Sequence, residues 1–338
     1  MQIPFTPLAG KEKITAFGSA LVDLCILEKD VFVESSGACK GGMVLTGHKE
    51  IAALLEKASS TPVVVPGGSA CNTILGIGKL GAKACFIGKR GSDELGELFE
   101  RGLLKHNVES ILFTSDKPTG HVLSIITPDA QRSMLTFLGA SAETQPEEIS
   151  PEHFKETVLV HFEGYLVANP QLLLAALKAA KQSGTLISLD LASYTVVEQS
   201  KQFLDEIVDQ YVDILIANED EATAFSGCSN EEQAFEHLAC RADIAVMKLG
   251  KRGSIIGHEG EIVTIAPQGD GFAIDTTGAG DLWAAGFLFG LINGMSLEKC
   301  GSLGSACGFE VCQNIGAAIP EEGWERIKGS LYTRLSEQ

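Results

Sequence analysis

The sequence is poor in basic charge. It carries 26 Lys and Arg against 44 Asp and Glu, a formal net charge of -18 over 338 residues. Phosphate-backbone binding is driven by basic surfaces, so a nucleic-acid partner is disfavoured, while a small anionic ligand held by local amides is not. The nine cysteines include no C-x-x-C pair and no Cys/His cluster at zinc spacing. An odd number of scattered thiols fits reduced cysteines packed as small hydrophobes in a cytoplasmic protein. Long apolar runs are missing: the richest, Leu282 to Ile292, is too short for a bilayer, which needs ~20 residues. The opening stretch MQIPFTPLAGKEK lacks the apolar core of a leader. No G-x-x-x-x-G-K-S/T occurs, which excludes a Walker-type phosphate loop. There is no low-complexity tract or long linker, and the length allows one large domain or a domain with a small appendage.

What is present is alternation. ITAFGSALVDL (Ile14 to Leu24), PVVV, AKACFIG, TVLVHFEG, TLISLDL, VDILIAN and ADIAVMKLG read as strands. Helical segments separate most of them, such as SDELGELFERGLLKHN with Ser92 as N-cap, and PQLLLAALKAAKQSG with Gly184 as stop. The pattern predicts an α/β fold, a mainly parallel sheet with helices on both faces, and ligands beyond the carboxyl ends of its strands. Two stretches break the rhythm. Residues 25–66 hold short β-like pieces and the helix HKEIAALLEKA, and residues 112–137 hold three strands in series, ILFTS, GHVLSIIT and RSMLTFL. Together they predict a small β-sheet lid on a body made of residues 1–24, 67–111 and 138–338.

GIGKLG, Gly76 to Gly81, fits G-x-G-x-x-G, but a dinucleotide fingerprint follows a strand and opens a helix. Here the glycines close a helix that begins near Ser69, so helix packing and a C-cap at Gly81 account for them. DTTGAGDLWAAGFLFG, Asp275 to Gly290, places Gly278, Ala279 and Gly280 where an apolar helix begins. Unpaired N–H groups and the helix dipole make such a point an anion site. Asp281 would lie in the first turn. As a simple N-terminal charge it would stabilise the helix by only ~0.3–1 kcal/mol. Beside a transferable phosphoryl group it would be a general base for an attacking hydroxyl.

This stretch resembles the second signature of the ribokinase (PfkB) family of sugar and nucleoside kinases. Three further segments resemble the family in the same order: GGSACNTILGIGKLG (Gly67 to Gly81), NEDE (Asn218 to Glu221) and KLGKRGS (Lys248 to Ser254). The resemblance spans nearly the whole chain. It implies a phosphotransferase with an alcohol acceptor, using ATP and Mg²⁺. Asp281 would deprotonate the acceptor, and the amides of Gly278, Ala279 and Gly280 would form the anion hole. Glu221, with Asn218, would organise Mg²⁺ through water. Lys248, Gly250 and Gly253 would line the nucleotide, and Asp275 lies where family members often hold a monovalent cation such as K⁺. On the acceptor side, Asp23 would bind paired hydroxyls, completed by Gly67, Gly68 and Asn72, and Arg132 would reach phosphates as the lid closes. Taken alone, NEDE is also a capped helix start, KLGKRGS a hairpin turn, Asp23 a strand-end residue and Arg132 a surface charge.

The resemblance implies a small nucleoside or sugar as acceptor. LDLASYT, Leu189 to Thr195, departs from the acidic-proline-asparagine-arginine stretch of many sugar kinases in the family, whereas the insertion before Gly67 and FLGASAE (Phe137 to Glu143) are similar to adenosine kinases. The expectation is adenosine phosphorylated to AMP, with Phe137, Phe162 and Tyr194 as candidates to stack on the base. Phosphorylation of a free sugar (fructose, ribose or a sugar acid) is the alternative, and a catalytically silent binding module a second. The expected assembly is a monomer or a homodimer through the lid, away from membranes.

Overall fold

Short runs of Val, Ile and Leu suit strands buried on both faces, and in this chain they form two sheets. In the computed structural model, residues 10–269 and 271–335 are described; most of the opening stretch compared with a leader lies outside them. The elements run β1 (Lys13–Phe17), β2 (Leu21–Leu27), α1 (Asp30–Ser36), β3 (Met43–Leu45), α2 (His48–Leu55), β4 (Val63–Gly67), α3 (Ser69–Leu80), β5 (Lys83–Gly91), α4 (Glu94–Lys105), β6 (Val108–Ser115), β7 (Thr119–Ile126), β8 (Arg132–Gly139) and β9 (Thr157–Glu163). They continue with α5 (Pro170–Gln182), β10 (Leu186–Asp190), α6 (Tyr194–Tyr211), β11 (Ile214–Asn218), α7 (Glu219–Ser226), α8 (Glu231–Ala239), β12 (Ile244–Lys248), β13 (Ser254–His258), β14 (Glu261–Ile265), α9 (Ala279–Ile292), α10 (Leu297–Val311) and α11 (Glu321–Leu335).

The large sheet has nine strands in the order β14-β13-β12-β11-β10-β9-β1-β5-β6. It is parallel from β6 to β12 and ends in the antiparallel meander β12-β13-β14. Successive side chains of a strand point to opposite faces. Ile214, Ile216, Ile244 and Val246 therefore enter one core with α3, α9 and α10, while Leu215, Ala217, Ala245 and Met247 enter another with α5, α6, α7 and α8. Helices cover both faces, as the alternation predicted. Helix α9 is apolar on nearly every side and lies between α3 and α10. Gly76 makes that fit, since a Cβ there would stand 2.7 Å from the Ala285 Cβ. The Gly-rich end of α3 is thus packing surface, closed by Gly81 at φ 104°.

The second sheet is small, with five strands in the order β3-β8-β7-β2-β4. Three expectations from the sequence are corrected. ITAFGSALVDL is two strands, β1 in the large sheet and β2 in the small one, so a boundary at residue 24 would cut through β2. The first of the three serial strands, β6, pairs with β5 at the edge of the large sheet and does not join β7 and β8. The N-cap of α4 is Asp93, whose Oδ1 accepts the Gly96 amide at 2.9 Å, one residue after Ser92.

Candidate active site

Four neighbouring parallel strands each end in a polar residue: Glu163 on β9, Asp190 on β10, Asn218 on β11 and Lys248 on β12. Register places Glu163 beside Asp190 and Asn218 beside Lys248, the second pair two residues further along because Asp190 stands opposite Ile216, so the four line the carboxyl edge of the sheet in two steps. The row faces the start of α9. Gly278 is its N-cap at φ 74°, with no side chain capping the helix. The Ala279 amide donates to the Thr276 carbonyl at 3.2 Å, whereas the Gly278 and Gly280 amides find no acceptor among the described residues. Of the three amides expected at an anion hole, two are open and one is engaged.

Asp281 lies in that first turn and lines a cavity of about 370 Å³. Ser69 donates its hydroxyl to Oδ1 at 2.8 Å and Asn72 donates Nδ2 to Oδ2 at 2.9 Å, both from the first turns of α3. Burial pushes the Asp281 carboxyl above the usual carboxylate range; the Asn72 and Ser69 hydrogen bonds work against this, as does Lys248, while Asp190 adds to it. Asp23 sits within β2, not at its end, and is buried. Burial raises it to about 6, with Arg132 opposing and Asp281 and Asp275 reinforcing. Arg132, at the start of β8, lines the same cavity, as do Gly68 and Asn72. Gly67 stands behind Asp23 rather than in the wall.

A second cavity, of about 650 Å³, opens on the other side of the α9 terminus. It is walled by Gly250, Gly253, Phe272, Trp283 and Phe309 among others. Lys248, Thr276, Ala279 and Gly280 line both cavities, so the two meet there. Gly253 is bound to this wall by geometry: its φ is 94° and a Cβ would lie 1.9 Å from the Ile265 carbonyl oxygen. Gly253→Ala is expected to cost roughly 3 kcal/mol or more, from backbone strain and overpacking together. Gly250, at φ 54° with open space around it, should lose only about 1 kcal/mol as Ala. Denaturant midpoints of the two variants check the contrast.

Asn218 and Glu221 form a reciprocal cap. The Asn218 amide and Nδ2 donate to the two Glu221 oxygens at 2.8 Å each, and the Glu221 amide donates to Asn218 Oδ1 at 2.9 Å. NEDE is therefore a capped helix start, and its Glu also lines the first cavity. Burial, then Asp190, raises Glu221 to about 7, against the pull of Lys248. Among the described residues no three His, Cys, Asp or Glu side chains form a metal-holding group. Asp275 is buried and accepts from the Thr277 amide at 2.8 Å, the Thr277 hydroxyl at 2.6 Å and the Gly316 amide at 2.7 Å. Its carboxylate is spent on joining two loops.

The aromatic candidates are corrected. Phe162 is in the core against Phe17, Phe137 packs with His48 and His121, and Tyr194 is half exposed; none lines the first cavity. Its aromatic residue is Tyr165, and its apolar wall is Met43, Leu45, Val122, Met134 and Leu138. Glu163 and Asp190 carry no motif, yet both belong to the site. Glu163 accepts the Ser19 amide at 2.8 Å and the Ala70 amide at 2.9 Å, tying the β1–β2 turn to the start of α3. The signal for both is the polar residue that closes an apolar run, VHFE and ISLD, just as in LIAN and VMK.

An enclosed acid beside open helix amides, standing where a hydroxyl-lined cavity meets a second one, belongs to a class: enzymes that move a phosphoryl group onto an alcohol. The particular member of that class follows from comparison. Residues 42–323 match the pfkB family carbohydrate kinases, and the chain belongs to that family of phosphotransferases. Its structure resembles adenosine kinase from Sinorhizobium meliloti, 32% identical with a TM-score of 0.89, covering 95% of this chain and 99% of that one. It also resembles a probable sugar kinase from Rhizobium etli, 29% identical with a TM-score of 0.90, covering 95% and 98%. A nucleoside kinase from Methanocaldococcus jannaschii is 29% identical over 263 residues, 77% of this chain and 83% of the relative. The fold is ribokinase-like, and no helix among the described residues is long and apolar enough to cross a membrane.

Proposed function

We propose that the protein transfers a phosphoryl group from ATP to the hydroxymethyl group of a nucleoside, with adenosine as the expected acceptor. The supporting observation is the two-sided character of the first cavity. Asp23, Asn72 and Asp281 supply its polar groups, while the small sheet, β3 included, supplies an apolar side of Met43, Leu45, Val122, Met134 and Leu138. A carboxylate accepts from two neighbouring hydroxyls at once, so Asp23 suits a ribose diol. The apolar side suits the face of a base and would be wasted on a sugar with hydroxyls on every side. The likeness to the Sinorhizobium meliloti enzyme supports the same acceptor.

In this reading the acceptor hydroxyl loses its proton to Asp281, which Ser69 and Asn72 hold in place. The open amides of Gly278 and Gly280 stabilise charge on the transferring group. The second cavity takes the nucleotide along Gly250 and Gly253. Asn218 and Glu221 would hold the water shell of Mg²⁺, which, when bound, neutralises the donor's phosphate oxygens. K⁺, where bound, would be held by the loop of Asp275 and Thr277, in which the Asp275 carboxylate already accepts from three donors. The five-stranded sheet is the lid, and Arg132, on β8, acts from it beside Asp23.

One observation favours the sugar reading: Tyr165 is the aromatic residue in the lining, so no ring from the expected set stacks on a base. A coupled ADP-release assay over adenosine, ribose and fructose separates the two. Adenosine should show the highest kcat/KM by at least about tenfold, the worth of ~1.4 kcal/mol of transition-state binding. Preference for ribose or fructose would replace the nucleoside by a sugar, and no turnover with any acceptor would leave a binding module.

A further inference from the structure

We infer that Lys248 is a catalytic residue that contacts the phosphoryl group in flight, and that Asp190 is the positioning residue that holds it there. The inference rests on the kinase reading and goes beyond nucleotide binding. Three observations carry it. The first is place. Lys248 is the one cationic side chain that lines both cavities. A Cβ on Gly280 would stand 3.0 Å from its Nζ, so the ammonium lies beside Gly280, the residue that carries one of the two open amides.

The second is unused capacity. A lysine ammonium has three donors. Among the described residues Nζ donates to one group, Asp190 Oδ2, at 2.6 Å, although only 13% of the side chain is exposed. The other donors have nothing but the cavities to face. Asp190, by contrast, has a donor on each oxygen, since its Oδ1 accepts the Ala192 amide at 3.0 Å. The third is charge. Asp190, Glu221 and Asp281 crowd the junction, and Lys248 is the cation that pairs with Asp190 and offsets the charge of the other two. Burial alone would lower the lysine, but Asp190, Glu221 and Asp281 outweigh it and keep it charged. A structural ion pair needs no such outlook: a buried pair rarely adds stability over apolar side chains of equal volume.

The step balances as follows. The acceptor oxygen forms the new O–P bond while its proton passes to Asp281. The bond from the γ-phosphorus to the bridging oxygen breaks, and its electron pair leaves on ADP. Negative charge on the transferring oxygens passes the α9 amides and the Lys248 ammonium, whose unused donors meet it while Asp190 holds the side chain in place. That contact is strongest at the transition state and so raises kcat rather than acceptor affinity.

Lys248→Met is the direct test, with Lys248→Met/Asp190→Asn as the variant that leaves no unpaired buried charge. Both should lose about 10²–10³-fold in kcat, the effect of one preorganised donor, while the acceptor's dissociation constant stays near that of the wild type. Aluminium fluoride should tighten ADP on the wild type in the presence of acceptor and fail to do so on either variant. A double variant that melts with the wild type, turns over at its rate and keeps the fluoride effect overturns the inference. Asp281→Asn, run alongside, separates the two levels. If it is inactive while the Lys248 variants are not, only the lysine role falls; if it is fully active, the Asp281 base assignment falls, and only a wild type without turnover on any acceptor removes the kinase reading itself.

Discussion

Asp281→Asn should abolish most turnover, by about 10²–10⁴-fold in kcat, and leave acceptor binding and folding in place. The reason is local geometry. Ser69 and Asn72 both donate to the carboxylate. An asparagine can turn its carbonyl to Asn72 Nδ2 and its NH₂ to Ser69, whose hydroxyl accepts as readily as it donates. No buried partner is stranded, so the packing of α3 on α9 survives. What disappears is the proton acceptor. Burial holds the wild-type carboxyl above its ordinary range, which makes it a stronger base than a surface aspartate. Steady-state kinetics with isothermal titration of the acceptor checks the split. Equal losses in kcat and in affinity would mean that Asp281 is a binding residue and not a base.

Much of this site can be read from the sequence because its parts are consecutive. DTTGAGD and NEDE each carry their geometry in a few residues: a helix terminus with open amides, and a cap whose fourth residue, Glu221, points back. Alternation likewise reveals the parallel sheet, since strand length and helix spacing are local properties. The pairing of β6 is a long-range property. Its eight residues read equally well as an edge strand of the large sheet or as the first of a small one, and only β5 decides. Asp190 and Glu163 are harder for the same reason. Each is a single acid at the end of an apolar run, and its meaning depends on Lys248 and on the start of α3, which are distant in the chain. Phe137 and Phe162 fail because a residue within a strand faces one side or the other with no local mark of which is the cavity, and Tyr194 fails because it opens α6 half exposed.

Gly67→Ala should cost the enzyme about as much acceptor recognition as removing Asp23 itself, with little loss of stability. A Cβ at residue 67 would lie 2.3 Å from Asp23 Cγ and within 2.6 Å of both carboxyl oxygens. The backbone of Gly67 is held by its pairing with Leu21 across β2 and β4. The short Asp23 side chain is the movable part, and it must rotate out of the cavity floor. Two hydroxyls then lose their shared carboxylate. At ~1.5–3 kcal/mol for each charge-assisted hydrogen bond, kcat/KM should drop by about 10²–10⁴-fold. Asp23→Ala alone should do the same. The double variant should be no worse than either single one, because the methyl group acts only by displacing a side chain that is no longer there. In fact it should melt above Gly67→Ala, since the truncated residue 23 leaves the methyl room. If the two losses add in kcat/KM, Gly67 touches the acceptor directly and the floor of the cavity is built differently; if Gly67→Ala is silent, Asp23 does not hold the diol.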